Sequence, residues 1–122
     1  MNIGNGSISL KVENLEKSME FYQLLGFKQS GGNIEYQYIV MQNDTMTIGL
    51  YEGMLEENML TFNPKWNRDC EETNGDDVRE IHNILKDYGY DVGELGTEET
   101  CGPNHFMIKD PDGNVILIDQ HL

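Results

Sequence analysis

No apolar run in the 122-residue chain approaches the ~20 residues of a membrane-crossing helix. Helical membrane spans are therefore excluded. Basic residues are scarce as well: eight Lys and Arg stand against 22 Asp and Glu, a formal charge of −14. Nucleic-acid phosphates and anionic membrane surfaces both require a basic footprint, so neither is an expected partner. Cysteine is nearly absent. Cys70 and Cys101 make no close metal-binding pair, and Met1–Gly6 has no basic and apolar leader. They read as free thiols of a cytoplasmic protein. What remains suits one domain, since 38% hydrophobic residues can bury a core at this length. The acidic excess serves solubility first. Secondarily, it would raise the local concentration of a cationic small molecule.

Periodicity divides the chain in two. Ser7–Val12 alternates polar and apolar and reads as a strand. Asn14 is an N-cap candidate for a helix carrying Leu15, Met19, Tyr22 and Leu25, widened by Phe21 and Leu24 and stopped at Gly26. Phe27–Gln29 reads as a short strand and Gly31-Gly32-Asn33 as a turn. Glu35–Met41 and Thr45–Glu52 are two further strands, with Tyr36, Tyr38 and Val40 sharing one face of the first. The acidic stretch 53–58 is a linker between halves. Met59–Asn63 is the fifth strand, ended by Pro64, and the loop to Asp76 holds Trp66 and Cys70. A second helix follows from about Asp77 to Tyr88, with Val78, Ile81, Ile84 and Leu85 as its stripe. Tyr90–Gly93 is a short strand, and Glu94–Asn104 is a loop. The last two strands flank Asp110-Pro111-Asp112-Gly113-Asn114, where proline presets φ, glycine accepts positive φ and the Asx side chains can bond nearby amides. The order is strand, helix and three strands, twice. The fold class is α+β, in one domain over 1–122 made of a 1–52 module, the linker and a 59–122 module.

This order, with Val12-Glu13-Asn14-Leu15-Glu16-Lys17-Ser18-Met19-Glu20-Phe21-Tyr22, Leu25-Gly26-Phe27 and the Asp110–Asn114 turn, resembles the vicinal oxygen chelate superfamily. Its members include glyoxalases, bleomycin-resistance proteins and extradiol dioxygenases. The resemblance implies paired βαβββ modules that curl into a mixed sheet, a cup-shaped open barrel with helices outside. It also implies a small organic ligand and a homodimer. Metal-using members place His and Glu ligands on four strands. The matching positions here are Ser7, Gly49, Leu117 and, on the fifth strand, Met59, or Cys70 if that strand is shifted. A hydroxyl, a thioether and two side chains without donors do not make a hard-metal site. No metal or other cofactor is therefore expected.

Strand alternation would place Ser7, Ser9, Tyr51, Thr61, Asn63, His105, Met107 and Leu117 on the inside of the cup. Trp66 either folds over its mouth or packs on its own loop. Apolar area for affinity and a few polar groups for orientation suit reversible binding of a small organic molecule, and an aromatic lid would add cation–π attraction if that molecule is cationic. His82 reads as surface and His121 as loose near the C-terminus. Cys101 follows Glu98 and Glu99, which disfavours a thiolate. The other reading is a glyoxalase-like lyase or transferase with unfamiliar metal ligands, or with His105, and Glu35 on the third strand, as acid–base groups.

Overall fold

The computed structural model describes all residues, Met1–Leu122. Its elements are β1 Asn5–Val12, α1 Leu15–Leu24, β2 Lys28–Asn33, a 3₁₀ turn Ile34–Tyr36, β3 Tyr38–Gln42, β4 Thr47–Glu52, β5 Met59–Asn63, α2 Val78–Asp87, β6 Asn104–Lys109 and β7 Val115–Gln120. They form two compact units: Ser7–Met59 is the first, and Leu60–Leu122 together with Met1–Gly6 is the second. The class is α+β, as expected, with mixed strand pairing and one helix in each unit.

In the first unit the strands run in the order β2-β3-β4-β1, with β1 parallel to β4 and the other pairs antiparallel. Cross-strand register puts Ile39, Leu50 and Leu10 in one row and Met41, Ile48 and Ile8 in the next. This face buries against Leu15 of α1 and Phe27, with Met19 and Tyr22 completing the cluster. In the second unit the order is β5-β7-β6, with β5 parallel to β7. Its core joins Val78 and Ile81 of α2 to Phe106 and Ile118.

The two helices are set by the same devices. Asn14 and Asp77 cap their N-termini, accepting from the amides of Lys17 and Arg79. The first helical amide of each, Leu15 N and Val78 N, donates to the side chain of the residue ending the last strand of its unit, Glu52 and Gln120. Both helices close on a Schellman pattern. Phe27 N donates to Tyr22 O and Tyr90 N to Leu85 O, across Gly26 and Gly89 at φ 99° and 94°. Glycine takes this left-handed conformation without a Cβ penalty.

Several expectations need correction. Gly31, Gly32 and Asn33 are paired in β2, not a turn; a bulge between Gln29 and Gly31 shifts the register there. Ile34–Tyr36 form a 3₁₀ turn and Gln37 is left-handed (φ 64°), so the third strand begins only at Tyr38. Asn33 caps that turn by accepting from Glu35 N, a competing local bond that strand periodicity does not reveal. Glu35 is accordingly exposed on a turn. Tyr90–Gly93 contributes only a bridge from Val92 to Ile108, so seven strands form instead of eight. On α1, Phe21, Leu24 and Leu25 are exposed, and only Leu15, Met19 and Tyr22 pack inward.

Candidate functional site

Each unit packs one face of its strands on its helix, and the candidate site residues lie on the other. In the first unit that second face carries Ser9, Gly49 and Val40 in one row and Lys11, Tyr51 and Tyr38 in the next. The rings of Tyr38 and Tyr51 stack at 5.8 Å with planes 10° apart. Tyr51 folds back over Gly49 so closely that a Cβ there would lie 2.6 Å from its Cε2. A side chain at position 49 would force the Tyr51 ring to move. Ser9 is buried, and Ser7 and Tyr51 are half-buried.

In the second unit the equivalent face is built across β5, β7 and β6. Thr61 pairs with Leu117, and Leu117 with Met107, so the three stand in one row. His105 pairs with Asp119 in the next row, and Asn63 has the same phase on β5. Phe106, of opposite phase, is buried against α2, as the alternation predicts. His105 and Met107 are exposed, while Thr61, Asn63, Trp66 and Leu117 are half-buried. Asn63 Oδ1 accepts from Lys65 N, which turns the chain out of β5. The His105 ring lies against Gly96, and Gly96 N donates to His105 O.

Trp66 has a partner that sequence reasoning missed. Its ring meets the His121 imidazole at 4.7 Å, edge-on. His121 Nε2 lies 3.0 Å from Asp119 Oδ2. This bond to Asp119 raises the histidine's pKa above its ordinary value, against a smaller opposing effect of burial. His121 is therefore held, not loose. Asp119 was detectable in principle, because it lies two residues beyond Leu117 in the same phase of β7. His82 also departs from expectation. It is half-buried, edge-on to Phe106 at 5.0 Å, with Nε2 2.8 Å from Gly93 O.

The fit of a metal can be judged from donor chemistry. β5 runs over Met59–Asn63, which puts Met59 rather than Cys70 at the fifth-strand position. Cys70 is an exposed thiol in a left-handed turn (φ 60°). Ser7, Gly49, Met59 and Leu117 supply one neutral oxygen and one thioether. Gly49 and Leu117 carry no side-chain donor, and the Tyr51 ring lies over Gly49. No three His, Cys, Asp or Glu side chains are grouped to hold a metal ion. These residues do not fit the family's metal.

Solved structures share the fold. A glyoxalase/bleomycin resistance protein/dioxygenase superfamily member from Vibrio splendidus is 13% identical, with 95% of this chain and 97% of that one covered and a TM-score of 0.65. A protein described as NAD-dependent benzaldehyde dehydrogenase from Legionella pneumophila is 22% identical, with 97% and 100% covered and a TM-score of 0.71. At such identities the likeness is one of fold alone. None of the curated proteins matches the chain. The family model described as Glyoxalase/Bleomycin resistance protein/Dioxygenase superfamily matches residues 5–118. By that match, which spans nearly the whole chain, the chain belongs to the glyoxalase/bleomycin resistance protein/dioxygenase superfamily.

Proposed function

We propose that the protein binds a small organic molecule without a metal ion, on the sheet faces that the helices leave uncovered. The observation that supports this best is the Thr61–Leu117–Met107 row with His105 beside it. It offers apolar area and hydrogen-bonding groups, the combination by which small-molecule sites obtain affinity and orientation. Ser7, Ser9 and Tyr51 belong to the corresponding face of the first unit, and Asn63 and Trp66 to that of the second. The charge of −14 favours a cationic ligand, whose approach the overall field would speed. A homodimer belongs to the same reading and is checked by sedimentation equilibrium.

The test combines metal analysis of untagged protein with thermal melts. A ligand that binds only the folded state raises the melting temperature by mass action. The expected result is no stoichiometric metal and no shift with Ni²⁺, Zn²⁺, Mn²⁺ or Fe²⁺. Cationic aromatic compounds should give a saturable change in Trp66 fluorescence, weakened by Met107→Lys. Stoichiometric metal would sink the metal-free reading. A turnover lost on His105→Ala would replace binding by catalysis.

A further inference from the structure

Of the 22 acidic residues in the chain, only Asp119 lies on β5, β6 or β7. It stands opposite His105, one row beyond the apolar Leu117–Met107 pair, on the face away from α2. Lys109, the cation of the same phase on β6, lies on the far side of Met107. The Asp119 carboxylate is already answered by one group. His121 Nε2 lies 3.0 Å from Asp119 Oδ2, and the same imidazole meets the Trp66 ring at 4.7 Å. A carboxylate and an aromatic ring within ~6 Å are the two elements that hold an organic cation. The arrangement is open to solvent: 47% of the His121 side chain and 35% of that of Asp119 are exposed. The backbone beside it is anchored independently, because Gln120 Nε2 donates to Gly102 O and Leu122 O. The imidazole can therefore swing out by side-chain rotation, with no strand moving.

We infer that His121 occupies the cation subsite of the proposed binding face, and that a planar organic cation carrying N–H groups, an amidinium or guanidinium, displaces its imidazole. The inference rests on the small-molecule reading above and specifies the ligand's charged end. The class follows from the group already in place. Imidazole is planar and reaches Asp119 through a ring nitrogen, so an occupant that takes over both contacts needs a planar cation with an N–H. A quaternary ammonium has no N–H for Asp119, and a neutral amide brings no charge to it. An anion would meet both Asp119 and the field of a chain at −14. The cations of the Trp66 loop are committed elsewhere: Lys65 Nζ donates to Gly75 O, and Arg68 is likewise engaged. With its charged end at Asp119, the body of such a ligand lies across Leu117 and Met107 in the next row.

The test is a titration with benzamidine, followed by the indole N–H resonance of Trp66, the only tryptophan, and the methyl resonance of Met107. Saturable shifts of both are expected in the unaltered protein. His121→Ala should bind benzamidine about tenfold more tightly, because an imidazole on the same chain no longer competes at high effective concentration. Asp119→Asn, added to that variant, should weaken binding by about tenfold or more, since a charge-assisted bond is lost. Benzamide and benzyltrimethylammonium should each bind His121→Ala about tenfold more weakly than benzamidine does. If His121→Ala fails to fold, His121→Ser makes the same comparison. The inference is overturned if removing the imidazole brings no gain, if Asp119→Asn leaves affinity unchanged or if either control compound matches benzamidine. Shifts at Met107 alone, with the variants binding like the unaltered protein, overturn it and leave the small-molecule reading standing. Trp66 shifts that depend on His121 and Asp119 but not on Met107→Lys support the subsite and remove the wider face.

Discussion

The two units use one plan with unequal completeness. The first has four strands and a helix whose remaining apolar residues are left in solvent: Leu24 at its end is 88% exposed. The second has three strands and a bridge, but its helix buries Val78 and Ile81 almost entirely. Identical caps and stops therefore do not imply identical packing. Caps satisfy the orphan amides and carbonyls at helix ends, a local requirement. How much of the apolar face is covered depends on what the sheet presents. The second unit also takes up Met1–Gly6: Asp76 N donates to Asn2 O and Asn5 N to Trp66 O. Asn2 N donates in return to Asp76 Oδ2.

The sharpest break of this comparison is truncation on each helix. Ile81→Ala, at a residue 1% exposed, should cost about 2–5 kcal/mol in denaturant unfolding. Leu25→Ala, at the exposed end of α1, should stay within about 0.5 kcal/mol. Equal losses would mean that the exposed patch of α1 is covered in solution.

Next in size is the strand-end side chain that holds each helix. Gln120, 2% exposed, accepts from Val78 N and donates to Gly102 O and Leu122 O. Gln120→Ala should destabilise by about 1–3 kcal/mol, because buried partners lose their bonds. Glu52→Ala removes a longer bond to Leu15 N, 3.2 Å, and should cost less in the same melts.

A pH titration separates the units further. The raised pKa of His121 means that its bond to Asp119 stabilises fully below the ordinary value of 6.5 and is lost as pH rises through the folded-state pKa. Trp66 is the only tryptophan, and an imidazolium against its ring quenches it. Fluorescence should therefore rise with pH through a midpoint above 6.5, and His121→Gln should abolish the step. A midpoint below that value would contradict the Asp119 contact.

The smallest effect lies in the hairpins. Asn43 Oδ1 turns the first by accepting from Thr45 N and Met46 N, and it does not titrate. Asp110 turns the second. The Asn114 side chain and amide, aided by the Asp112 and Gly113 amides, hold its pKa below 3.8. That stabilisation is present above the unfolded value and disappears as pH falls through the folded one. Amide shifts of Asp112 and Asn114 should move in acid, while those of Thr45 and Met46 stay fixed.

Legibility followed the range of the interactions. Asn14, Gly26 and the Asp110–Asn114 turn act within a few residues, and each reads correctly from the chain. Strand phase was also legible where one face packs on a helix, as at Phe106 against His105 and Met107. It failed at Ile34–Gln37, where Asn33 captures Glu35 N, and at Tyr90–Gly93, where too little of the segment pairs to make a strand. Of the candidate site, the donor-poor positions were visible in sequence because donor chemistry belongs to the residue itself. The Trp66–His121–Asp119 cluster was not, since those residues are distant in sequence and meet only through the fold.

The sequence by itself determined the order of strands and helices apart from the eighth strand, both helix boundaries and the closing hairpin. These rest on backbone conformation and side-chain identity within short stretches. Only the tertiary structure decided that the Tyr51 ring lies over Gly49 and that His121 engages Trp66. Each depends on the register and length of elements brought together from remote parts of the chain. Local propensity carries no record of those separations.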